Sequence, residues 1–200
     1  MLRHARVMDE FTIAIALWDG VEELDFAGPY EVLTAWARMG EKPISVRTVA
    51  ASTDVVRCSH DLKVVPDVSW DDVGRLDLLV LPGGDTRPLQ ADESFLERMR
   101  SLAGSGTLMT SVCTGALVYG KAGILEGRRA TTHWGALDRL ADLGVDVDRE
   151  ARFVDTGEVV TAAGVSAGID MALHLVARLE SVERAQEVRR YIQYDPQPPV

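Results

Sequence analysis

Three short apolar runs, 11–17 (FTIAIAL), 76–81 (LDLLVL) and 107–112 (TLMTSV), punctuate the first 112 residues. Each is too short for a helix that buries itself and is rich in branched side chains. That combination predicts strands buried on both faces, which is how parallel sheets read in sequence. The segments between and after them change period. In 29–39, Val32, Leu33, Trp36 and Met39 recur at helical spacing before Gly40 ends the run. Segments 94–103 and 114–121 read as helices, 44–50 and 62–65 as strands, and 55–58 as a weaker strand. Residues 152–161 predict a hairpin turning at Thr156-Gly157, and 166–179 and 182–194 predict amphipathic helices ahead of a proline-rich end. Strands alternating with helices predict an α/β fold: a doubly wound, mostly parallel sheet with helices on both faces, a flavodoxin-like sandwich. No repeat or long linker divides it. Residues 1–10 are expected to be a frayed polar leader and 11–200 one domain, for which 46% apolar content is enough to build a core.

Composition removes several classes of function. A net charge of −10 is wrong for a polyanionic partner, and the basic pairs Arg128-Arg129 and Arg189-Arg190 are short. No nucleic-acid partner is expected. No apolar run reaches the ~18 residues of a membrane span, and the N-terminus lacks a signal-peptide core, so the expected location is cytoplasmic. The two cysteines, Cys58 and Cys113, form no CxxC pair, and the four histidines are scattered. No metal is expected.

Chemistry concentrates at the end of the third run. In 107–115 (TLMTSVCTG) a strand passes directly into a helix with Cys113 at the junction and the small residues Ser111 and Gly115 two positions to either side. This is the pattern of a nucleophile elbow with cysteine in place of serine. The alternative is a buried structural cysteine, which is the reading given to Cys58. An elbow lifts the thiol above the carboxyl end of the sheet, where α/β proteins bind ligands. The helix N-terminus behind it is expected to lower the thiol pKa. Gly83 and Gly84 follow the previous strand, so their N–H groups are expected to join that of Thr114 around a developing anion. Asp85 beside them either adds charge there or turns outward.

Between the first strand and first helix lie Glu22, Glu23 and Asp25. Asp25 is placed either to exchange a proton with the thiol or to serve as a loop or cap residue; the two glutamates read as solvated. His133 is either the base of a Cys–His pair or a capping histidine.

Longer motifs add a resemblance. Residues 24–29 (LDFAGP), 81–84 (LPGG), 111–115 (SVCTG), 122–134 (AGILEGRRATTHW) and 163–170 (AGVSAGID) resemble the ThiJ/PfpI superfamily, related to class I glutamine amidotransferases. The resemblance extends from about residue 11 nearly to the end. Asp25 in its L-D-x-x-x-P context and Thr114 directly after the cysteine are similar to the isocyanide (isonitrile) hydratase branch. The peptidase-like branch has histidine at the second position, and many aldehyde-handling relatives have glutamate at the first. The resemblance implies a homodimeric enzyme acting on a small molecule without a metal or cofactor. Water would add to an isocyanide to give an N-substituted formamide: the Cys113 thiolate attacks the isocyanide carbon, and Asp25 protonates or orients water toward the thioimidate. It also implies that Gly83, Gly84, Thr114, His133 and Val165 surround the substrate. A glyoxalase-like or aldehyde-repair activity, and the ligand-sensing halves of AraC-type regulators, share these motifs. No DNA-binding module is expected within the 200 residues, which with the acidic charge favours a free-standing enzyme. Apolar Leu173, Val176, Leu179, Val188 and Ile192 on the last two helices are expected to exceed what one core covers and to supply a dimer face.

Overall fold

The computed structural model describes residues 10–197, so the leader expected over 1–10 lies almost wholly outside the described residues. The chain begins β1 (Phe11–Ala16), α1 (Glu23–Met39), β2 (Ile44–Ala50), β3 (Val56–Arg57), β4 (Lys63–Val64), β5 (Val68–Ser69) and β6 (Leu78–Leu81). It continues α2 (Arg87–Ala91), α3 (Glu93–Gly104), β7 (Leu108–Val112), α4 (Gly115–Lys121), β8 (Arg129–Ala130), α5 (Leu137–Ala141) and β9 (Asp146–Val147). It ends β10 (Phe153–Asp155), β11 (Val159–Ala162), α6 (Ala167–Leu179) and α7 (Val182–Tyr191).

Seven strands form one sheet in the order β10-β11-β7-β6-β1-β2-β5. All neighbours in it are parallel except the edge hairpin β10–β11. Successive strand residues go to opposite faces. Ile13 and Ile15 of β1, with Leu78 and Val80 of β6, pack under Leu33 and Trp36 of α1 and Met171 and Leu175 of α6. Ala14, Ala16, Leu79 and Leu81 pack on the other side with Met99 of α3 and Leu117 and Tyr119 of α4. The doubly wound sandwich read from the alternation is the observed fold. Among the described residues no helix is long and apolar enough to cross a membrane.

Two expectations need correction. The first helix begins at Glu23, six residues ahead of Pro29, which sits inside it. Proline has no N–H for the carbonyl four residues back, here that of Asp25. Pro29 is nevertheless buried, packed beside Gly168 of α6, and this tertiary contact outweighs the local penalty. Asp25 therefore rides on the first turn of a helix and points into the protein.

The second concerns the expected dimer face: Val176 and Val188 are fully buried in the monomer and cannot supply it, whereas Leu173, Leu179 and Ile192 are only partly buried against the same core as α1.

Candidate active site

The elbow is built by strain that the surroundings hold in place. Cys113 stands between β7 and α4 with φ at +57°, a conformation that L-residues adopt rarely and mostly at functional sites. Its N–H donates to the carbonyl of Ala163 at 2.8 Å. Its own carbonyl accepts the hydroxyl of Thr132 at 2.6 Å, in a fully enclosed position. Gly115 allows the turn: a Cβ there would lie 2.3 Å from the Leu81 carbonyl oxygen and 2.6 Å from that of Pro82. The start of α4 is thus pressed against the end of β6, which brings the cysteine beside the loop that follows β6.

Asp25 arrives from the other side. It is 0% exposed, and Oδ2 accepts the Gly83 N–H at 2.8 Å while Oδ1 has no hydrogen bond among the described residues. Gly83 must lack a side chain, since a Cβ would lie 2.7 Å from both Asp25 Oδ2 and Cys113 Cβ. Burial drives the Asp25 carboxyl up to about 7, with Glu22 adding to the rise; the Gly83 N–H, the Cys113 thiol and the Val165 N–H oppose it. Burial also pushes the Cys113 thiol up to about 12, with the Asp25 charge second, against the N–H groups of Thr114 and Val165. The expected depression of the thiol pKa is therefore reversed. A seven-residue helix offers a weak dipole, whereas burial and an adjacent carboxylate are strong. The proton between sulfur and carboxylate becomes the variable quantity of this site.

The expected anion-binding amides are differently employed. Gly83 N–H is occupied by Asp25, and Gly84 N–H donates to Thr114 Oγ1 at 3.0 Å. The Thr114 hydroxyl in turn donates to the Gly84 carbonyl at 2.9 Å. These groups fix the loop and the carboxylate rather than face a ligand. The N–H groups that oppose the rise of the thiol pKa belong to Thr114 and to Val165, whose φ is +49°. Asp85 turns outward: Arg87 holds it at 2.7 and 2.8 Å and lowers its pKa to about 2.

His133 forms no hydrogen bond with Cys113 among those of the described residues. Its Nδ1 accepts the Gly135 N–H at 3.2 Å, and its ring packs on Gly164. It is placed as a cap and a wall, not as the base of a Cys–His pair. Cys58 is 4% exposed, with its thiol pushed up to about 11 by burial and then by Glu23.

Glu22 and Glu23 are not freely solvated. Glu23 accepts the His60 N–H at 2.7 Å and approaches His60 Nδ1 at 2.9 Å, while Ser59 Oγ lies within 2.9 Å of both carboxylates. The donor atoms of Glu22, Glu23 and His60 lie within 4.8 Å of one another, close enough to hold a metal ion. The sequence offered no signal for this cluster, because His60 comes from the β3–β4 hairpin. It offered none for Thr132 either, whose role depends on where the elbow carbonyl points.

Residues 11–178 match the model of the DJ-1/PfpI family. Isonitrile hydratase of Pseudomonas putida is 39% identical over 188 residues, 94% of this chain and 80% of that protein. HTH-type transcriptional regulator CdhR of Pseudomonas aeruginosa is 29% identical over 86% of this chain, which spans 52% of the regulator. A solved ThiJ/PfpI family protein from Pseudomonas syringae superposes with a TM-score of 0.88 at 33% identity, covering 99% of this chain and 81% of that one.

Proposed function

The chain belongs to the DJ-1/PfpI family, and from that premise we propose that it is an isonitrile hydratase-like enzyme. The observation that carries the reading is the buried pairing of one carboxyl with one thiol, in which burial raises both pKa values and the Asp25 charge raises that of the thiol further. Hydration of an isocyanide needs one proton delivered to carbon and another taken from water. An acid that titrates near neutrality beside a nucleophile does both.

The steps balance as follows. Asp25 carboxylate takes the thiol proton as sulfur bonds to the isocyanide carbon, and the same carbon receives that proton. The product is a thioimidate, R–N=CH–S–Cys113, with Asp25 ionised again. Asp25 then accepts a proton from water as the hydroxyl adds to the carbon, and passes that same proton to the nitrogen, so that it is ionised again. In the collapse the carbon–sulfur bond breaks as the C=O forms, and the hydroxyl proton passes through Asp25 to the departing sulfur, restoring the thiol and giving the formamide product. The N–H groups of Thr114 and Val165 support charge on sulfur when it forms and when it leaves. Because the thiol is raised to about 12, proton transfer to Asp25 accompanies attack; a standing thiolate is not required.

The test is turnover of cyclohexyl isocyanide and methylglyoxal side by side. Formamide should appear with wild-type protein, vanish in Cys113→Ala, and fall ~10²–10⁴-fold in Asp25→Asn. Turnover of methylglyoxal alone would move the reading to aldehyde repair. The match to half of a transcriptional regulator supports a second reading, a ligand sensor, for which isocyanide would bind without product. The proposal includes a cytoplasmic homodimer, checked by light scattering against the 21.8 kDa monomer mass.

A further inference from the structure

Trp134 is 80% exposed, the largest uncovered apolar side chain among the described residues. It stands at a groove of about 340 Å³ whose wall includes His133, Ala163, Gly164 and Val165. Two of the groove's residues also hold the elbow: Ala163, whose carbonyl accepts the Cys113 N–H at 2.8 Å, and Thr132, whose hydroxyl holds the Cys113 carbonyl. The groove therefore adjoins the elbow and shares two of the residues that hold it. His133 is wedged in it. Its ring lies 5.2 Å from the Trp134 ring on one side and packs so closely on Gly164 that a Cβ there would lie 2.3 Å from the ring. The charges around the groove are mostly cancelled. Arg149 pairs with Asp138 at 2.7 Å and Arg152 with Asp170 at 2.6 Å, while Glu150 has no ion pair among the described residues.

We propose that this groove is the subsite for the substituent of the substrate, and that it selects a planar, uncharged, aromatic group laid against Trp134. An exposed indole gains most by covering its face with another flat ring, and uncompensated Glu150 disfavours an anionic one. The identity of the reacting group rests on the isocyanide reading above; the shape and chemistry of the groove do not.

Equilibrium dialysis with two formamides separates the two questions, because formamides bind without reacting. Wild-type protein should bind formanilide about tenfold more tightly than N-cyclohexylformamide, the non-planar ring of the same size. It should bind 4-carboxyformanilide more weakly than formanilide. Trp134→Ala should erase the preference for the planar ring while leaving thermal unfolding unchanged, since the side chain is 80% exposed. Gly164→Ala, which displaces His133, should weaken formanilide in the same direction. Equal binding of the two rings, a preference that survives Trp134→Ala, or no binding of either amide overturns the proposal. In parallel, kcat/KM for phenyl and cyclohexyl isocyanide is measured. A tryptophan-dependent preference without turnover keeps the groove and removes the hydratase reading. Turnover of both isocyanides at equal kcat/KM, untouched by Trp134→Ala, does the reverse.

Discussion

At Cys113 burial and then the negative charge of Asp25 hold the proton on the thiol. The consequence for rate follows from the sign. Asp25 must be ionised to accept the thiol proton, so kcat/KM should rise with pH through an apparent pKa near 7, where burial has moved its carboxyl. Asp25→Asn should flatten that limb; an unchanged limb assigns it to another group. The same substitution should act oppositely on simple alkylation. Removing the adjacent charge lowers the thiol pKa, so iodoacetamide should label Cys113 in the variant about 3- to 10-fold faster at pH 8. Cys58 serves as the internal standard, because its raised pKa comes from burial, Glu23, Asp19 and Glu22, not Asp25. A variant that loses hydration and also loses alkylation would mean that the elbow has collapsed.

At the scale of elements, the site depends on α4 meeting the end of β6. Gly115→Ala pushes a methyl into two backbone carbonyls that cannot swing aside. It should cost roughly 2–4 kcal/mol in denaturant unfolding. Gly104, at the end of α3, has nothing within 4 Å of an added Cβ, and Gly104→Ala should stabilise by about 0.5–1 kcal/mol. Equal effects would mean that the contact at Gly115 relaxes.

The contrast also marks what sequence makes legible. β1, β6 and β7 were readable because strands buried on both faces leave continuous apolar runs, and the elbow was readable because its neighbours must be small. The start of α1 was hidden because Pro29 obeys a local rule that packing against α6 overrides. The two-residue strands β8 and β9 are too short to leave a period. At the site, residue types indicated Cys113 and Asp25 as candidates, but not which amide serves which oxygen. Gly83 and Gly84 looked available for an anion until the fold committed them to Asp25 and Thr114.

For the whole molecule, a buried acid makes folding depend on pH in a direction that can be worked out. In the unfolded chain Asp25 gives up its proton near its ordinary value of 3.8; in the folded protein it keeps it to about 7. Between those values the folded state binds more protons than the unfolded state, so stability falls as pH rises across that interval. Below the interval both states are protonated and the carboxyl costs little. Above it the protein carries a buried charge that, among the described residues, accepts a hydrogen bond only from the Gly83 N–H. A shift of this size corresponds to about 2–4 kcal/mol. Other carboxylates act in the opposite sense, among them Asp85 and Glu23, each lowered to about 2. The observable is therefore the difference between wild type and Asp25→Asn, from which those groups cancel. Asparagine keeps an acceptor for Gly83 and never ionises. The variant should match wild type within about 1 kcal/mol at pH 4.5 and exceed it by about 2–4 kcal/mol at pH 8 in urea unfolding. A gap that is the same at both pH values would mean that Asp25 does not hold its proton into the neutral range, and the proton shuttle proposed for the site would lose its physical basis.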